Sequence, residues 1–127
     1  MLLGSWEILM TGEVEEFLDV LHTTDQKTHR LVNQAILVLE QSGPAEGRPL
    51  VDTVAGSVVA NLKELRPGSS SGTEVRILFA FDPWRSAILL VAGDKSGRWK
   101  TWYREAIPRA ECLYESYLTE RREEVGR

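Results

Sequence analysis

The residues with the clearest chemical potential in this 127-residue chain are cations set among extended segments and aromatics. Lys63 and Arg66 occupy one such segment, Arg76 the next, and Lys95 follows a third. Immediately afterwards comes Arg98-Trp99-Lys100-Thr101-Trp102-Tyr103-Arg104, in which bases and rings interleave. Guanidinium and ammonium groups meet phosphate, and flat rings stack on unpaired bases, so the mixture suits RNA. Trp99, Trp102 and Tyr103 suit equally well the packing of a last helix onto a sheet.

Where those residues meet depends on the elements that carry them. Residues 5–11 are short, apolar and closed by Thr11-Gly12, which reads as a strand. Residues 13–41 read as a helical hairpin. Its first helix has the stripe Val14, Phe17, Leu18 and Leu21, a cap at Thr11, and Glu13, Glu15 and Glu16 in its first turn. Its second runs from Thr24 or Asp25 to Gln41 with the stripe Leu31, Val32, Ala35, Val38 and Leu39, and stops at Ser42-Gly43-Pro44. Residues 43–57 are rich in glycine, proline and small residues and read as a loop. Over 58–94 the period becomes two, giving three antiparallel strands joined by turns at 67–72 and 82–85. Val75, Ile77, Phe79 and Phe81 share one face of the middle strand, Arg76, Leu78 and Ala80 the other. Residues 106–123 read as the final helix, announced by Pro108 and striped by Ala110, Leu113, Tyr114, Tyr117 and Leu118. The whole is one α+β domain, 1–127, with the helices on one face of a small antiparallel sheet with a mixed edge.

Short hairpins would set Lys63 and Glu64 opposite Ile77 and Arg76, and Ala92 and Gly93 near Arg76 and Val75. That register gathers Lys63, Arg66, Arg76 and Lys95 on the sheet face away from the Val75/Ile77/Phe79/Phe81 core. Glu64 and Asp94 fall beside them, to orient the bases or to balance charge. Other reactive side chains lie elsewhere: His22 and His29 belong to the helical hairpin and read as structural or solvated, and Cys112 is an inert thiol opposite the last helix's apolar stripe. No phosphate-binding glycine loop, metal-ligand cluster or nucleophile motif stands out.

The net charge of −4 argues against a nucleic-acid protein until it is divided. Residues 1–47 hold two basic and eight acidic residues, residues 48–109 ten and six, and residues 110–127 three and five. An acidic chain with a +4 middle is polarised, and the polarity says more about partners than the total. At 43% apolar residues the chain can bury a core. Its longest apolar run, Ala87 to Ala92, is far short of the roughly 20 residues that span a bilayer. The N-terminus has no basic n-region or long apolar stretch, so no signal peptide is expected, and a lone cysteine excludes an internal disulfide.

Five segments in order resemble the HigB-type branch of the RelE/ParE toxin superfamily. They are Gly43-Pro44 with Arg48-Pro49-Leu50-Val51-Asp52, Asn61 to Arg66, Val75 to Asp82, Gly93 to Trp99, and Trp102 to Ala110. The resemblance covers about residues 5–120. It implies a RelE-like fold and the toxin of a type II toxin–antitoxin pair: a cytoplasmic mRNA interferase that binds the 30S ribosomal A site and cuts messenger RNA there. It implies no metal and no other cofactor, because the 2′-hydroxyl attacks the adjacent phosphate and leaves a cyclic phosphate and a 5′-hydroxyl. Such a reaction needs a proton acceptor, cations for the growing phosphoryl charge, and a proton for the leaving oxygen. By position, the resemblance makes Arg76 the phosphate-stabilising arginine. It makes Lys63 and Arg66 phosphate clamps, Lys63 also a proton-transfer partner, and Tyr103 an acid or base. Lys95, Arg98, Trp99, Lys100 and Arg104 become RNA-binding residues. It also implies a HigA-like helix-turn-helix antitoxin held in a hetero-oligomer, with no membrane partner. The chain departs from many such toxins in its acidity and in having no histidine near the site. The acidity supports a second expectation, a catalytically inactive toxin-like module that binds its antitoxin as a co-repressor.

Overall fold

Thr11 ends the first strand and starts the first helix. In the computed structural model, which describes residues 5–58, 61–68 and 72–126, β1 (Glu7–Met10) passes through Thr11 into α1 (Gly12–Thr24). The Thr11 oxygen accepts from the Val14 amide at 3.4 Å, and its hydroxyl donates to the Leu90 carbonyl at 2.8 Å. Asp25 begins α2 (Gln26–Ser42) by accepting from the Thr28 amide at 3.1 Å and from the Thr28 hydroxyl at 2.6 Å. The helix stops at Gly43, whose φ is +57° and where a Cβ would sit 2.3 Å from the Trp6 indole nitrogen. Conformation and space both require glycine there.

A short 3₁₀ turn (Gly43–Ala45) leads to β2 (Val51–Thr53), inside the stretch that reads as loop from sequence. Three residues are too few for a period-two signal to show. β3 (Leu62–Leu65), β4 (Val75–Phe81), β5 (Ser86–Asp94) and α3 (Trp99–Val125) complete the order. The start of the expected strand at 58–66, residues 59–60, and part of the expected turn, residues 69–71, lie outside the described residues. The sheet runs β1-β5-β4-β3-β2, antiparallel except where β1 lies parallel to β5, so the mixed edge is β1.

Helices cover both faces of this sheet, not one. Val14, Leu18, Val32, Ala35 and Leu39 of the hairpin bury against Leu65, Val75, Ile77, Phe79, Ala87 and Leu89. Trp102, Ala106, Ala110 and Tyr114 of α3 bury against Leu62, Leu78, Ala80, Ile88, Leu90 and Val91 on the other side. The unbroken apolar run 87–92 is the mark of a strand buried on both faces. Each large buried aliphatic or aromatic side chain contributes roughly 1.5–3 kcal/mol.

The strand registers differ from the short-hairpin expectation. Lys63 faces Phe79 and Glu64 faces Leu78, two residues further along. Across the second hairpin Arg76 faces Gly93 and Leu78 faces Val91, but Phe79 faces Leu89, so Leu90 is the extra residue of a bulge. The carbonyl of Leu90 is the one that accepts from Thr11. The bulge brings Leu90 and Val91 both to the α3 side. The turn at 82–85 is as expected: Asp82 accepts from the Trp84 amide at 2.9 Å and the Ser86 amide at 2.8 Å, and its second oxygen accepts from the Tyr117 hydroxyl.

The last helix begins at Trp99, seven residues before the expected start, and Pro108 lies inside it. A proline in a helix interior costs about 3 kcal/mol. Trp102, Ala106, Ala110 and Tyr114, spaced by four, bury one continuous stripe through that position and offset the cost. Gly93 makes the first contact of this stripe possible, since a Cβ there would stand 2.3 Å from the Trp102 indole nitrogen. Gly93→Ala is therefore expected to displace Trp102 and destabilise the protein by about 1–3 kcal/mol in urea unfolding.

Candidate functional site

Beginning α3 at Trp99 places Trp99, Tyr103 and Ile107 on one stripe of that helix, next to the stripe that packs on the sheet. This stripe forms one wall of a cleft of about 490 Å³. The opposite wall is the edge pair β2 and β3, with Arg48, Asp52, Thr53, Val54, Ala55, Glu64 and Arg66, and Lys95 closes the end. Alternation along β3 explains which side chains arrive. Leu62, Glu64 and Arg66 face α3, whereas Lys63 and Leu65 face the helical hairpin.

Glu64 sits at the centre with its side chain only 4% exposed. One of its oxygens accepts from Arg66 Nε at 2.8 Å and lies 3.9 Å from Arg76 Nε. The other accepts from the Tyr103 hydroxyl. Arg76 is mostly buried beneath the cleft, its Nη1 donating to the Val75 carbonyl at 2.8 Å, and its Nε has no hydrogen-bond partner among the described residues. Glu74 stands at the rim, 3.8 Å from Arg76 Nη2 and 3.6 Å from Lys95 Nζ. The Lys95 ammonium also lies 5.7 Å from the centroid of the Tyr103 ring, a cation–π contact. On the outer edge Asp52 accepts from Arg48 Nε at 3.1 Å and pairs with Arg66 at 3.5 Å.

These contacts set the protonation behaviour. Burial pushes the Tyr103 phenol well above its ordinary range, and its hydrogen bond to the Glu64 carboxylate pushes it further. The hydrogen bond to Glu64 raises Arg66. The hydrogen bond from Arg48, reinforced by the Thr53 amide, holds Asp52 below the usual carboxylate value. For Asp94 burial works in the opposite direction, but the amides of Glu74 at 2.9 Å and Ser96 at 3.0 Å outweigh it and the pKa is lowered.

Of the residues singled out from sequence, Arg66, Arg76, Lys95, Trp99 and Tyr103 come together. Lys63 does not join them. It faces the hairpin side across from Phe79, and its ammonium donates to Thr53 Oγ1 at 3.3 Å. Lys63 and Arg66 are three apart, and in a strand an odd spacing puts two side chains on opposite faces. Arg98 borders a separate hollow with Glu13, Trp102 and Arg109 on another side of α3. Lys100 is exposed at the helix start, 5.5 Å from the ring of an equally exposed Trp99, and Arg104 is exposed. Trp102 is core. Sequence reasoning missed Arg48 and Asp52, because β2 was hidden, and the central place of Glu64. Its signal was an acidic residue alternating with Leu62 on a strand whose α3-side face is otherwise buried.

Residues 19–115 match the family described as phage derived protein Gp49-like. The chain is 54% identical over 110 residues to a Mycobacterium tuberculosis protein named "Putative toxin HigB2", and 55% identical over 111 residues to one named "Putative toxin HigB3" from the same organism. Each alignment covers 87% of this chain. The chain belongs to the Gp49-like family of HigB-type toxins. It spans about half of the first relative, 55%, and nearly all of the second, 92%. Its α+β architecture agrees with the RelE-like fold that the family resemblance implies. No helix of the described residues is long and apolar enough to cross a membrane.

Two outcomes follow from this geometry. Glu74→Gln removes an exposed counter-charge from Arg76 and Lys95. It is expected to tighten binding of a short single-stranded RNA by up to about fivefold at low salt, read by fluorescence anisotropy. Folding holds Asp94 below its ordinary 3.8, so the folded state binds fewer protons than the unfolded chain in that window. Stability is then full above the unfolded value and falls as pH drops through the folded one. Urea midpoints measured between pH 5 and pH 3 should fall less steeply in Asp94→Asn than in the parent.

Proposed function

We infer that the protein is the toxin of a type II toxin–antitoxin pair and acts as a ribosome-dependent mRNA endoribonuclease, cytoplasmic and neutralised by a HigA-like helix-turn-helix antitoxin. The observation that carries this reading is the cleft itself: Arg66 and Arg76 beside Tyr103, with Lys95 and Arg48 at the rim and the exposed Trp99 ring at its mouth. A guanidinium fork holds two phosphoryl oxygens at once, which suits Arg76 and Arg66 to the charge that grows as a 2′-oxygen attacks phosphorus. Trp99 offers a face for an unstacked base in the 30S A site. Arg98, Lys100 and Arg104, at or near the exposed start of α3, supply the long-range attraction to RNA backbone. The nucleophile belongs to the RNA, so the protein's part is to position, to neutralise charge and to move protons, and the reading calls on no metal.

A second reading has its own observation. Arg48, Arg66, Arg76 and Lys95 each lie within 4 Å of a carboxylate, so Asp52, Glu64 and Glu74 offset three of the four charges. That would suit a toxin-like module without catalysis that serves its antitoxin as co-repressor. Co-sedimentation with ribosomes at low and moderate salt, followed by mapping of mRNA 5′ ends after induction, separates the two. Cleavage with salt-sensitive ribosome binding is expected, and no binding with no cleavage leaves the co-repressor. Arg76→Ala should lower cleavage by about 10²- to 10³-fold while the protein remains folded. Unchanged growth inhibition by a folded Arg76→Ala protein would remove Arg76 from the site.

A further inference from the structure

Glu64 is a buried carboxylate on a face that reads as a phosphate-binding site, where a negative charge opposes the ligand. Its removal from water is costly unless its oxygens are well partnered, and they are: Arg66 donates to one, Tyr103 to the other, with Arg76 at 3.9 Å. The polarity of the Tyr103 bond matters most. A carboxylate only accepts, so the phenol hydrogen points down at Glu64 and the remaining lone pairs of the phenol oxygen are left for the cleft that Tyr103 lines. Tyr103 therefore meets a ligand as an acceptor.

We propose that Glu64 and Tyr103 form a proton relay, in which Tyr103 takes the proton of the attacking 2′-hydroxyl and passes its own phenol proton to Glu64. This rests on the endoribonuclease reading and specifies its base. In the step the 2′-O–H bond breaks and a new O–H bond forms on the Tyr103 oxygen. The phenol proton moves to the Glu64 carboxylate, the 2′-oxygen bonds phosphorus, and the bond from phosphorus to the 5′-oxygen breaks. The 5′-oxygen takes a proton from water, and Glu64 returns its proton to solvent through Tyr103. Tyr103 is the catalytic residue, since it touches the RNA. Glu64 acts through it as a positioning residue and proton store. Arg66 keeps Glu64 oriented and still has groups that face the cleft. Burial of the phenol and its bond to Glu64 keep Tyr103 neutral before attack, so it enters the step able to exchange one proton for another.

The test is single-turnover cleavage of ribosome-bound mRNA by the parent and by Glu64→Gln, Glu64→Asp and Tyr103→Phe proteins, with ribosome binding measured in parallel. Glu64→Gln keeps the shape of the site and removes the proton acceptor. The relay predicts a fall in the cleavage rate of about 100-fold or more for Glu64→Gln and Tyr103→Phe, with ribosome affinity held within about threefold. It also predicts partial recovery in Glu64→Asp and loss of the rise in rate with pH in Glu64→Gln. A rate within about threefold of the parent in Glu64→Gln, or an unchanged pH profile, overturns the relay while leaving the endoribonuclease reading in place. A parent protein that binds ribosomes without cutting overturns the endoribonuclease reading, and the relay with it. If Glu64→Gln is unfolded by circular dichroism, Tyr103→Phe decides, because full activity there overturns the relay independently.

Discussion

The buried carboxylate of Glu64 is the interaction around which the cleft is organised. An ionised group in that position is tolerated only while both oxygens are partnered, and the partners come from three elements: Arg66 just beyond β3, Arg76 on β4 and Tyr103 on α3. Each of the three contacts draws its element toward the same carboxylate, so β3, β4 and α3 meet at one point. The same carboxylate ties a helix to a sheet and sets the side chains that could handle phosphate. Stability and chemistry thus draw on the same few atoms.

What places those partners is the geometry of a sheet covered on both faces. β4 and β5 supply apolar side chains in both directions, to the helical hairpin and to α3, and this fixes their rotation about their own axes. The bulge at Leu90 changes the pairing from Phe79↔Leu89 to Leu78↔Val91 and so brings Gly93 opposite Arg76. Gly93 leaves room for the Trp102 indole, Trp102 seats the start of α3, and one residue later Tyr103 reaches Glu64. The unpaired carbonyl at the bulge is accommodated by Thr11, which also caps α1. A polar residue at the start of the chain is in this way linked to the register of the strand that carries the site.

Much of this was legible in the sequence, for identifiable reasons. The helical hairpin carries its caps and stripes locally, β4 carries its alternation and β5 its unbroken apolar run, so those elements could be read without knowing what they touch. The resemblance to HigB-type toxins lay in ordered segments and agrees with the relatives found. The parts that could not be read depend on distance. β2 is three residues long and exists because β3 is beside it. The start of α3 was concealed by Pro108, which by local rules marks a beginning and here sits within a helix held by burial on each side. Lys63 and Arg66 looked alike as cations near one strand end, but three apart in a strand they turn to opposite faces, and the packing of the sheet decides which of the two meets α3. The central place of Glu64 was hidden because only Arg66, two residues along the same face, is local to it, while Arg76 and Tyr103 come from other elements.

The charge distribution acquires a different meaning once these partners are known. The basic middle segment, residues 48–109, has ten cations and six acids. Four of the cations, Arg48, Arg66, Arg76 and Lys95, belong to the cleft, and each pairs there with Asp52, Glu64 or Glu74. Most of the excess positive charge is therefore not in the cleft but around it, and much of it is at or near the exposed start of α3 on Arg98, Lys100 and Arg104. Exposed cations attract a polyanion from a distance and lose that attraction in salt, whereas paired cations act only at contact, when a phosphate takes the place of a carboxylate. The two sets separate approach from grip. An exchange of Glu74 for phosphate costs little because Glu74 is half exposed, while Glu64 is too deeply held to leave. Phosphate entering the cleft would accordingly displace the rim carboxylate and keep the central one, which is the division of labour a site needs if one acid is to yield to substrate and another is to stay beside the reacting hydroxyl.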